Sequence, residues 1–173
     1  MSRAREPVRS SQRRLARASA CALVLVAGLA ACGDDGVDPG ADATPQCAEA
    51  TLHADLDWIQ TNVFTPSCSN FTSCHKGAAT QAGGLNLEAG RAHDAMVNVA
   101  STGFPTWKLV VPGDAAGSYL MVALGQYPGP LDPRVGTMPF NSRLLCREKR
   151  DAIERWIVGG APATGSVAVT APP

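Results

Sequence analysis

Cys68-Ser69-Asn70-Phe71-Thr72-Ser73-Cys74-His75-Lys76-Gly77 is the stretch around which the rest of the sequence is organised. Two cysteines precede a histidine that follows the second directly. In a C-x-x-C-H run the sulfurs bond covalently to haem vinyl groups and the adjacent imidazole ligates the iron. That short spacing is helical in origin. Cysteines three apart lie on one side of a turn, and the next residue points its ring from the same turn. Here five residues separate the cysteines. A regular helix would put them on different faces, so the extra residues must bulge. The same residues admit a simpler reading, a Cys68 to Cys74 disulfide in an exported protein with His75 as a solvated neighbour.

The N-terminus supplies the cellular context. Arg3, Arg5, Arg9, Arg13, Arg14 and Arg17 stand against a single acid, Glu6, and an apolar run follows from Ala20 to Ala31. That run is too short to cross a bilayer comfortably and reads as a secretory signal over residues 1–31. It ends in Leu29-Ala30-Ala31-Cys32-Gly33, which resembles the bacterial lipobox. The resemblance implies that Cys32 is lipidated and becomes the mature N-terminus, anchoring the protein to a membrane of the cell envelope, on its periplasmic or cell-surface side. Residues 32–46 lack apolar periodicity and read as a flexible tether. The formal charge of zero conceals an asymmetry, because the chain after residue 31 is net acidic. With no basic face to neutralise phosphates, nucleic acid is excluded as a partner.

The remainder predicts one domain over residues 47–162 and a short tail over 163–173. Leu52, Leu56, Ile59 and Val63 recur at helical intervals, with His53, Asp57 and Gln60 off that stripe, so the pattern predicts an amphipathic helix from Ala48 to Phe64. Thr65-Pro66-Ser67 is expected to end it. A second helix is expected from Glu88 to Val99, with Ala92, Ala95, Met96 and Val99 on one side. Leu109 to Val111 reads as extended, and Ser118 to Leu124 as a third, short helix. Pro128, Pro130, Pro133 and Pro139 keep residues 125–141 irregular, and a loop of this length is commonly functional. The last helix is expected from about Cys146 to Val158, burying Ala152, Ile153, Trp156 and Ile157, and stopped by Gly159-Gly160. The class is therefore all-α: three to four short helices joined by long Gly/Pro-rich loops. A chain with so little regular structure fills a core poorly, and a covalently bound haem would serve as both core and staple.

Cysteine arithmetic narrows the choices. Cys21 leaves with the signal and Cys32 takes lipid, so Cys47, Cys68, Cys74 and Cys146 remain, with three possible disulfide pairings. If Cys68 and Cys74 hold haem, the leftover pair is Cys47 with Cys146. His53 and His93, on expected helices among polar residues, read as solvated, and Met96 and Met121 as core. Asn70-Phe71-Thr72 fits a glycosylation triplet but carries no weight beside a bacterial lipobox. A zinc site would need a fourth ligand and finger-like spacings, neither of which is evident.

In order, the chain reads helix, cysteine-histidine stretch, loops, Met-Pro loop and terminal helix. The matching pieces are Cys74-His75-Lys76-Gly77, Gly83-Gly84-Leu85-Asn86-Leu87, Val111-Pro112-Gly113 with Ser118-Tyr119-Leu120, Met138-Pro139, and Ala152 to Ala161. Together they resemble a class I cytochrome c, and more closely the short cytochrome c-like modules of planctomycete and myxobacterial lipoproteins. The resemblance implies one haem c held by Cys68 and Cys74, with His75 as proximal and Met138 as distal iron ligand. It implies an exported, membrane-anchored electron carrier rather than a catalyst, with a redox partner protein that the sequence does not identify. Two alternatives stand beside it: a haem-free, disulfide-stabilised surface lipoprotein of the same fold, and a peroxidase-like haem enzyme with an open iron site.

Overall fold

A computed structural model describes residues 44–165. The expected signal segment, Cys32 and most of the expected tether lie outside the described residues, as does the end of the tail. Five α-helices succeed one another: α1 (Pro45–Ala50), α2 (Leu56–Ile59), α3 (Ala92–Met96), α4 (Tyr119–Ala123) and α5 (Arg147–Val158). A π-helical segment, Gln60–Cys68, continues directly from α2, and a single 3₁₀ turn spans Thr80–Ala82. The described residues form no sheet. Isolated bridges such as Val97 with Val110 and Ala100 with Lys108 bring the 97–100 and 108–110 segments together. The regular structure of the described residues is helical, joined by long irregular segments.

The first expected helix is two helices. Thr44 caps α1 with its hydroxyl, Pro45 occupies the first turn, and the helix stops at Ala50. Thr51 then turns its hydroxyl back onto the Ala48 carbonyl at 2.7 Å. Asp55 restarts the helix, its carboxylate accepting the Trp58 N–H at 2.7 Å, which is the ordinary work of an N-cap. Leu52, placed on the buried stripe by its spacing, falls in the intervening turn and is 73 % exposed. Pro66 does not end the helix as expected. Helical winding passes through it to Cys68, with Ser69 N–H bonded to Phe64 O at 2.8 Å, an i to i−5 bond. The wider turn also shifts the phase of the helix. Gln60, assigned to the polar side, is consequently buried with Ile59, Val63 and Phe64. The expected Glu88–Val99 helix contracts to α3, leaving Val99 exposed.

Helix α5 matches its expected extent to within a residue, with Cys146 as its N-cap. Ala152, Ile153, Trp156 and Ile157 are fully buried, each large side chain contributing about 1.5–3 kcal/mol relative to exposure. They meet Trp58, Ile59, Val63, Phe64, Met96, Val110 and Met121 in one core cluster. Arg155 fastens α5 to the turn between α1 and α2, its guanidinium donating to the carbonyls of Ala50 at 2.8 Å and His53 at 2.9 Å. Gln126 donates to Asp151 and Glu154, and Tyr127 to Glu154, tying the start of the long loop to the same helix. Cys47 and Cys146 are joined, their Cα atoms 6.3 Å apart across 99 positions of sequence. A bridge of that span corresponds to roughly 4–5 kcal/mol in the chain-entropy account.

Candidate functional site

Cys68 is the last residue of the π-helical segment, and its side chain lies half-buried against the core. Ser69 stays buried against Phe64 O, and from there the chain bulges outward through Asn70 to Ser73, turning on a bond from Cys74 N–H to Phe71 O at 3.0 Å. The bulge is closed at its base by a 2.9 Å bond from His75 N–H to Cys68 O. Asn70, Phe71, Thr72 and Ser73 are exposed, so the bulge carries its polar residues into water. Cys68 and Cys74 are both unbonded. Burial, and secondarily the neighbouring Cys74, push the Cys68 thiol up to about 12, so it is protonated at neutral pH.

His75 stands beside them on the bulge's far edge. Its Nδ1 is buried and has no hydrogen-bond partner of normal geometry. Burial lowers the pKa of the ring below the ordinary value of 6.5, while the Leu85 backbone acts on it in the opposite sense. The neutral imidazole that results is the form that ligates metals. The carbonyl of His75 accepts from Leu87 N–H at 2.8 Å, which ties the His75 backbone to the strip that also carries Leu85.

Met138 lies in the long irregular segment after α4. Its N–H donates to Ala123 O at 2.7 Å, and its half-buried side chain packs against the core. Among the described residues no hydrogen bond links Met138 to the Cys68–His75 stretch. Met96 and Met121 are fully buried in the core. The two remaining histidines are not simply solvated. His53 stacks on Trp58 with ring centroids 4.6 Å apart and pairs with Asp55 at 3.0 Å. His93 is engaged at both nitrogens, by Asp94 at 3.0 Å and the Ala161 carbonyl at 3.1 Å, and so holds α3 to the end of α5.

Which group could such residues hold? The two thiols and the imidazole do not converge as a mononuclear metal centre would require. Among the described residues the one cluster tight enough is Cys47, Cys146 and Glu148, whose sulfurs are already bonded to each other. Donors spread along a bulged turn suit a large planar group bonded at its edge and ligated at its centre. The site thus offers an orphaned buried ring nitrogen and two unbonded thiols, in a chain with a disulfide elsewhere. A separate hollow of about 380 Å³, lined by Gly103, Phe104, Leu131, Asp132, Pro133 and Arg134, contains none of these residues. No described helix is long and apolar enough to cross a membrane. Comparison with known proteins gave no match to a family model, to a curated protein or to a solved structure.

Proposed function

We propose that the chain is an exported, lipid-anchored c-type cytochrome that carries single electrons through one covalently bound haem. The observation that carries this reading is the 2.9 Å bond between His75 N–H and Cys68 O. In a helical turn the bond from residue i to residue i−4 is what makes the first cysteine and the histidine of a C-x-x-C-H run neighbours. Here a backbone bond of the same kind spans seven positions because Asn70 to Ser73 loop out, which supports reading the longer spacing as a variant of the shorter one.

In this reading Cys68 and Cys74 hold the haem, His75 ligates from one side and Met138 from the other. Haem supplies the one-electron chemistry, and the chain supplies binding, orientation and a dry setting. A methionine opposite histidine raises the reduction potential and closes the iron to small molecules, as suits a carrier. His93 is committed to Asp94 and Ala161, which supports Met138 as the sixth ligand. Anchoring through Cys32 would keep the domain on the envelope membrane, within reach of a redox partner protein.

Spectroscopy tests the ligand set. The ferric wild-type protein should show a weak near-infrared sulfur-to-iron band, and Met138→Ala should abolish it and admit cyanide readily. A haem protein lacking the band and binding cyanide in its wild-type form would favour the peroxidase-like enzyme. A protein with no haem absorption would leave the disulfide-stabilised lipoprotein.

A further inference from the structure

Gln60 is a polar side chain in an apolar place. It sits on the π-helical segment, 8 % exposed, among Ile59, Val63 and Phe64. A buried amide is costly unless its hydrogen bonds are made. Its Nε2 donates to Thr65 Oγ1 at 3.1 Å and to Leu87 O at 2.9 Å. A carbonyl oxygen only accepts, so the second bond fixes which end of the amide faces Leu87. Leu87, itself fully buried, passes its N–H to the His75 carbonyl at 2.8 Å. Two residues earlier, the Leu85 backbone acts on the His75 ring. Two hydrogen bonds therefore lead from Gln60 to His75, and the strip between them carries the group that addresses the ring.

We propose that Gln60 is the positioning residue for His75. By holding Leu87 against the π-helical segment it fixes the Leu85–Leu87 strip, which in turn holds the His75 backbone and keeps the Leu85 backbone beside the ring. The role rests on reading His75 as an iron ligand. Ligating imidazoles are commonly oriented by a backbone carbonyl at the second nitrogen, which also raises their basicity. The π-helical register is part of the device, since it is the segment that carries Gln60 inward.

The test uses the full chain made in a host with haem-attachment machinery. Gln60→Met keeps the side-chain length and removes both donors, and Gln60→Glu keeps the shape but sets a carboxylate against the Leu87 carbonyl. Arg155→Met, which cuts the ties between α5 and the α1–α2 turn, is the control that loses stability away from His75. Amide exchange at Leu87 and His75 should quicken by at least about tenfold in both Gln60 variants. The reduction potential should rise in both, because a slackened backbone contact leaves a less basic imidazole. Arg155→Met should lower the unfolding midpoint while keeping the wild-type potential. Wild-type exchange and potential in Gln60→Met and Gln60→Glu would overturn the positioning role, as would a potential shift matched by Arg155→Met. A wild-type protein that carries no haem would overturn the iron-ligand reading, and this role with it.

Discussion

At the scale of single residues, the site's chemistry is set by burial. His75 is held below the ordinary histidine pKa of 6.5 first by desolvation, against a smaller opposing effect of the Leu85 backbone. The folded, haem-free chain therefore binds fewer protons at this ring than the unfolded chain does once pH falls into that range. The sign follows: stability is full above about pH 6.5 and declines as pH falls through it. The urea midpoint of the haem-free protein should be lower at about pH 5 than at about pH 7.5, and His75→Phe should flatten that dependence. An unchanged slope in His75→Phe would show that other groups carry it. Cys68 is governed by the same burial, which keeps its sulfur a thiol rather than a reactive thiolate.

At the scale of elements, the long segment after α4 is held by close approach as well as by hydrogen bonds. A Cβ built on Gly129 would lie 2.7 Å from Val122 Cγ1 and 2.8 Å from Cγ2. Val122 is buried on α4 and, being β-branched, has little freedom to turn aside. Gly129→Ala should therefore cost roughly 1–3 kcal/mol of stability, read as a lowered denaturation midpoint; a midpoint equal to wild type would contradict the packing described. Helix α5 was legible in the sequence because its apolar residues keep one phase through the whole helix. The first helix was not, because Leu52 fits the stripe by number while Thr51 and Asp55 cap the chain on either side of it. The capping residues were visible, yet the periodicity outweighed them. Pro66 misled for a related reason. Proline discourages an ordinary helix, but a wider turn carries the chain through. The candidate site residues can be listed from the sequence, but not their arrangement. A five-residue spacing argues against a shared helical face, and neither the Cys68 to His75 backbone bond nor the bulge it closes can be read from local sequence. Gln60 and His93 were missed because their partners, Leu87 and Ala161, lie 27 and 68 positions away and leave no local signal.

At the scale of the whole molecule, two kinds of cross-link divide the four cysteines. Cys47 and Cys146 close almost the entire domain, pinning the start of α1 to the start of α5. Cys68 and Cys74 remain unbonded beside an imidazole with an orphaned nitrogen. On the proposal that the chain is exported, one pair joined as a staple and the other unbonded support a different covalent partner for the second pair. The central claim is thus that Cys68 and Cys74 carry haem. It is tested most directly by the intact mass of the mature protein made in a host with haem-attachment machinery, followed by non-reducing peptide mapping. The account predicts a chain heavier by one haem, with that mass on the peptide spanning Cys68 to His75 and with Cys47 joined to Cys146. A haem-free mass together with a Cys68 to Cys74 disulfide would contradict it.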